Sequence, residues 1–204
     1  MMNRVIAYID GFNLYFGLKG KGWNRYYWLN IQALAENLLK FNQELIMTKY
    51  FTSRIINSPE KQKRQSTYIE ALETLNKLQI FYGKYQLNPQ KCSYCGYESF
   101  IPNEKMTDVN IAVEILADAT NNKFDTALLL SADSDLLPVI KSIKNTFPSK
   151  RIVVAFPPGR SSIQLSQIAH ACLRIGRANL AKSVFPDKVK KEDGFILHCP
   201  QEWK

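Results

Sequence analysis

The stretch VIAYIDGFN, residues 5–13, decides the fold. Its first five residues are apolar or aromatic without a polar break, and Asp10 ends the run. A short, uninterrupted apolar run of this kind reads as a strand buried on both faces. Asp10 and Gly11 then lead into GFNLYFGLKG, which reads as the start of a helix. The same pattern recurs along the chain. FDTALLL (124–130) and RIVVAF (151–156) are further strands of this type, and residues 45–51 and 80–85 are strand-like. Helices fall between them. Asn30 caps one over 31–41, with Ile31, Leu34, Leu38 and Phe41 at helical spacing, and Ser58-Pro59 starts another that runs to about 77. A third covers 107–121 with an apolar stripe of Val109, Ala112, Val113 and Leu116, a fourth covers 133–145, and Ser161 or Ser162 caps a fifth near 163–172. Strands alternating with helices predict an α/β fold, a mostly parallel central sheet with helices on both faces. Residues 88–103 (NPQKCSYCGYESFIPN) read as a loop inserted into one domain over 1–186, and 187–204 as a basic C-terminal tail.

The 204 residues are 46% hydrophobic and 22% charged, which excludes disordered, collagenous and disulfide-scaffold classes. No window approaches the roughly 20 apolar residues of a membrane span, and the N-terminus lacks the pattern of a signal peptide. A soluble, cytoplasmic protein without membrane association is expected. Lys and Arg number 27 against 18 Asp and Glu, a net charge of +9. That balance suits a polyanionic partner, nucleic acid first, or serves simply as a solubilising surface. Only His170 and His198 are available for histidine chemistry, and both come late. Gly17, Gly20 and Gly22 miss the phosphate-loop pattern, and no G-x-S-x-G occurs.

In open α/β sheets the functional crevice lies beyond the carboxyl ends of the strands. Two strands here end in acid: the first at Asp10, with Asn13 following, and the one over 124–130 in Ser131-Ala132-Asp133-Ser134-Asp135. Asp108 opens the helix before the latter. Each has a structural explanation, since Asp133 can cap a helix and Asp108 can answer a helix dipole. Were the four to converge, their mutual repulsion would be about 4 kcal/mol per pair at ~4 Å and would call for a cation. Ligation by oxygen alone selects Mg²⁺ or Mn²⁺. Such an ion in a basic protein suits phosphodiester hydrolysis.

At these residues the chain resembles the NYN-domain (LabA-like) family of PIN-like metal-dependent nucleases. The matching stretches are IDGFN (9–13), EKMTDVNIAVEIL (104–116), FDTALLLSADSDLLPVI (124–140), VVAFPPGRSS (153–162) and IGRANL (175–180). The resemblance implies a PIN-like Rossmannoid sheet, an acidic cluster binding Mg²⁺ or Mn²⁺, and RNA as substrate. Carried over by position, the family's acids fall on Asp10, Asp108, Asp133 and Asp135, its Asn on Asn13 and its motif-opening hydroxyl on Ser131. Asp10 and Asp133 would ligate the metal directly. Asp108 and Asp135 would act through water, and Asn13 would orient a carboxylate or meet the scissile phosphate. Ser131, Lys105 and Arg160, the last in the turn after the strand 151–156, are the candidate substrate contacts. Ala132 stands where the family commonly has Gly, which would shift the loop, and Leu136 stands where an aromatic is common.

Two further features stand apart. Cys92 and Cys95 have a spacing that can hold zinc, but a closed site needs four ligands. His170, Cys172, His198 and Cys199 are distant candidates, and two reduced thiols in a loop are the plainer reading. Trp23, Tyr26, Tyr27 and Trp28 lie beside Lys19, Lys21 and Arg25, a mixture that can stack single-stranded bases or simply pack under the next helix. The expected function is a metal-dependent ribonuclease partnered by RNA, with homo-oligomerisation left open. The alternatives are a catalytically idle RNA-binding or adaptor module on the same fold, and a haloacid-dehalogenase-type phosphatase. The latter wants a second Asp where Phe12 stands.

Overall fold

The computed structural model of the chain describes every residue but Met1, Asn57 and Cys92, and for residues 85–88 and 99–104 the backbone alone. In chain order the strands are β1 (Asn3–Asp10), β2 (Gln43–Thr52), β3 (Leu78–Tyr82), β4 (Lys84–Lys91), β5 (Glu98–Lys105), β6 (Thr126–Leu130), β7 (Arg151–Phe156) and β8 (Ala171–Arg174). Six of them form one sheet in the order β3-β2-β1-β6-β7-β8. Every neighbouring pair in it is parallel. The order steps outward from β1 in one direction and from β6 in the other. Their shared boundary is therefore the switch point at which open α/β sheets bind ligands.

Alternation along β1 explains its unbroken apolar run. Val5, Ala7 and Ile9 enter one core, and Ile6 and Tyr8 the other. The first core receives α1 (Gly11–Gly20), α2 (Ile31–Asn37) and α3 (Pro59–Leu72). The second receives α4 (Thr107–Thr120), α5 (Leu137–Thr146) and α6 (Ile163–Ile168), and α7 (Arg177–Ala181) returns to the first. No helix among the described residues is long and apolar enough to cross a membrane.

Several elements differ from the sequence expectation. The stretch 88–103, read as a loop, belongs to an antiparallel hairpin of β4 and β5. Pro89 and Pro102 disguise it, since proline lacks the ladder N–H, but each strand of a two-stranded ribbon has a free edge where proline fits. The helix expected near 163–172 stops at Ile168, and Ala171–Arg174 forms the edge strand β8. Residues 187–204, read as a tail, contain a second hairpin, β9 (Lys188–Lys190) with β10 (Ile196–His198). Val189, Leu197 and Cys199 of this segment are buried in the first core.

The apolar stripe of α4 also lies on a different face. Ile111, Ile115 and Ala119 are buried, whereas Val109 and Val113 are 62% and 56% exposed. A buried polar group decides the rotation. Asp118 is enclosed on the same face, paired with Lys49 Nζ at 2.5 Å, and accepts a hydrogen bond from the Tyr8 hydroxyl at 2.7 Å. Burial opposes ionisation of Asp118, but the bonds from Lys49 and Tyr8 outweigh it and hold the carboxyl below its ordinary range.

Candidate active site

Asp10 is the last residue of β1 and the cap of α1. It is 4% exposed, and its Oδ1 accepts from the Asn13 backbone N–H at 2.9 Å. Gly11 is required beside it. A Cβ there would stand 2.6 Å from the Tyr50 hydroxyl and 2.7 Å from the Phe51 carbonyl oxygen.

Across the switch point, the Ser131 hydroxyl donates to Asp10 Oδ2 at 2.9 Å and accepts from the Asp133 N–H at 3.0 Å. Asn13 Oδ1 accepts from the Ala132 N–H at 3.1 Å, which identifies the other end of that amide, Nδ2, as a donor. Asp133 Oδ1 accepts from the Asp135 N–H at 2.9 Å, capping the 3-10 turn Ser134–Leu136. One continuous network thus ties Asp10 and Asn13 to Ser131, Ala132, Asp133 and Asp135. Ser131 is fully buried, so it positions Asp10 and the loop and is not a substrate contact. Ala132 is not among the described non-glycine residues with positive φ, which are Met106 and Asn122. Alanine therefore fits this loop without strain, and no shift follows from the missing glycine.

Asp133 is half-buried and Asp135 exposed. Asp108 is half-buried in the first turn of α4, just after the left-handed Met106 (φ 78°). Because α4 leads into β6, its N-terminus lies at the carboxyl edge of the sheet, and α4 touches the Ser134–Leu136 turn. Lys105 ends β5 and is exposed. Arg160 is exposed in the turn after β7, which Gly17 of α1 approaches so closely that a Cβ would meet the Pro158 carbonyl oxygen at 2.8 Å.

Among the described residues, no three His, Cys, Asp or Glu side chains gather as a metal shell. The donor set at the acidic edge is nevertheless oxygen only. Mg²⁺ keeps several waters and commonly rests on one or two carboxylates plus substrate phosphate, so this edge fits such an ion without a full protein cage. The zinc reading fares differently. Cys92 lies outside the described residues and Cys95 is exposed. His170 spends Nδ1 accepting from the Ile152 N–H, and Cys199 is buried.

A cavity of about 600 Å³ opens on the far side of Gly11 and Phe12. Sequence reasoning singled out Lys19, Tyr26 and Tyr27 of its lining but missed Tyr15, Tyr50, Tyr68 and Trp203. These come from four separate segments, so no local spacing links them. Of the aromatic cluster 23–28, Trp28 and Tyr26 are core residues, while Tyr27 is partly exposed in the cavity wall.

Comparison with known proteins adds the following. The sequence model of the NYN domain family matches residues 4–175. The chain is 27% identical over 176 residues to 6-hydroxy-3-succinoylpyridine 3-monooxygenase HspA of Pseudomonas putida, the match covering 69% of this chain and 55% of that protein. The chain thus spans about half the length of this curated relative. The crystal structure of a protein of unknown function from Vibrio parahaemolyticus superposes with a TM-score of 0.57 at 16% identity, covering 90% of this chain and 97% of the other. That likeness shows the same α/β fold.

Proposed function

Because the chain belongs to the NYN domain family, a family of PIN-like nucleases, we propose that it hydrolyses RNA phosphodiester bonds at the edge where Ser131 links Asp10 to the loop bearing Asp133 and Asp135. The observation that carries this reading is the Ser131 bridge, which fixes a buried carboxylate at the switch point of the sheet. Asp10 also caps α1, and its position is where α/β sheets bind ligands. Asp10 and Asp133 would hold Mg²⁺ or Mn²⁺, with Asp108 and Asp135 reaching it through water. Such an ion, when bound, polarises a phosphoryl oxygen and lowers the pKa of water.

The chain's own groups do the rest. Asp108 and Asp135 orient the attacking water. The Asn13 Nδ2 donates to the scissile phosphate, its direction fixed by the bond from Ala132. Lys105 and Arg160 hold flanking phosphates, aided by the net charge of +9.

The test is cleavage of single-stranded RNA by wild type and Asp10→Asn in Mn²⁺ and in EDTA. Wild type should cut only with Mn²⁺, and Asp10→Asn should lose the cleavage while melting within a few degrees of wild type. Equal cleavage by the variant would refute the assignment. RNA binding without cleavage under any metal would make the chain a binding module.

A further inference from the structure

The 600 Å³ cavity beside the acidic edge has no part in the proposed hydrolysis, yet it is built for a particular chemistry. Its size lies in the range of small-molecule sites. Its walls are aromatic. Tyr15 and Tyr27 lie 5.0 Å apart at an interplanar angle of 43°. Trp203 meets Tyr27 edge-on at 5.8 Å and Tyr68 edge-on at 6.1 Å. Tyr15 is exposed, and Tyr27 and Trp203 are partly so, leaving ring surface for a guest.

The cavity is not only apolar. Lys19, Lys61 and Arg64 line it too, and Arg64 is held by Glu202 at 2.6 Å in an ion pair whose glutamate is mostly exposed. A solvent-exposed pair of this kind is worth little, so a ligand anion can take Arg64 from Glu202. Gly11 and Phe12, the two residues after Asp10, form part of the wall. Whatever enters is therefore next to the acidic edge.

We propose that this cavity is a nucleotide subsite that takes a planar heteroaromatic ring carrying a phosphate, namely an unpaired base of single-stranded RNA stacked on the platform that Tyr15 and Tyr27 form together, with its phosphate at Arg64. The proposal rests on the nuclease reading for the source of the ring. The chemistry is shared with free ring acids, as the name of the pyridine-hydroxylating relative illustrates. A base held here would splay the strand over Gly11 and bring the adjoining phosphodiester to Asp10. Duplex RNA, with its bases stacked and paired, could not enter.

Binding in EDTA, where cleavage plays no part, tests this. Calorimetric titration with 5′-AMP, ribose 5-phosphate and 6-hydroxynicotinate is compared for wild type, Tyr15→Leu, Tyr27→Leu and Arg64→Ala. 5′-AMP should bind about tenfold or more tightly than ribose 5-phosphate, the scale of one stacked base. Either tyrosine variant should lose about that factor for 5′-AMP and leave ribose 5-phosphate unchanged. Arg64→Ala should weaken both phosphates. A single-stranded RNA decamer should outbind the same sequence as a duplex. Equal binding of 5′-AMP and ribose 5-phosphate would overturn the subsite, as would loss of both ligands in both tyrosine variants. Tighter binding of 6-hydroxynicotinate than of 5′-AMP would overturn the nucleic-acid source. Base discrimination without Mn²⁺-dependent cleavage would count against the nuclease reading alone, and cleavage without base discrimination against the subsite alone.

Discussion

Ser131 has no solvent exposure, yet its hydroxyl is the joint between two acids, donating to Asp10 and accepting from the Asp133 N–H. Ser131→Ala would leave a buried carboxylate oxygen and a backbone N–H without that partner. The cost should be about 1–3 kcal/mol, read from denaturant unfolding. Because Ser131 does not touch substrate, kcat should fall with KM nearly unchanged, and Ser131→Thr should recover part of it. A change confined to KM would instead put the hydroxyl in contact with RNA. Gly11 shows how little room the neighbouring residues leave, with Tyr50 and Phe51 both inside the space of a methyl group. Burial raises the Tyr50 phenol well above its ordinary range, and the nearby charge of Asp10 adds to the effect against a bond from Thr52, so Tyr50 stays a neutral wall of the cavity.

At the scale of elements, α4 is set by polar rather than apolar matching. Lys49 of β2 reaches both Glu114 and Asp118 of this helix, at 2.6 and 2.5 Å, and Tyr8 of β1 joins them. Asp118→Asn leaves the buried Lys49 with Glu114 alone, so it should destabilise by about 1–3 kcal/mol. Simultaneous Lys49→Met should recover much of that loss, and strict additivity in the double variant would deny the coupling. The same network marks a limit of sequence reading. Hydrophobic spacing identified α4 and its bounds to within a residue, but Val109, Val113 and Leu116 looked inward because no local signal pairs Asp118 with a lysine some 70 residues earlier. The strands β1, β6 and β7 were legible because both of their faces are apolar. The short edge strand β8 and the proline-bearing hairpin were not, since neither alternates nor runs continuously. Asp10, Asn13 and the Ser131–Asp135 loop were nameable from strand ends. The Ser131 bridge between them, and the cavity drawn from four segments, depend on tertiary assembly.

For the whole molecule, parallel pairing places the carboxyl ends of all six strands of the central sheet on one edge, so the acids, the cavity and the turn bearing Arg160 share a side. Acid stability follows from ion pairs away from that edge. The hydrogen bond from Arg4 lowers Asp125 to about 2, and the pair ties the start of β1 to the residue before β6. A carboxylate depressed in the folded state stabilises above its unfolded value near 4 and loses that contribution as pH falls through the folded one. Tm should therefore drop between about pH 4 and pH 2, with Asp125→Asn lower at neutral pH and flatter across that window. An unchanged slope in the variant would exclude the Arg4 pair as its source.

The 3-10 turn Gln201–Trp203 brings Trp203 into the cavity wall, while β1 begins at Asn3 on the opposite edge of the sheet. A fluorophore, affinity handle or neighbouring polypeptide tethered behind Lys204 would hang over the aromatic mouth and compete with any guest. One tethered ahead of Asn3 would emerge roughly 25 Å away, the length of β1. The two attachments to a single molecule therefore give a built-in control: only the first should blunt nucleotide uptake.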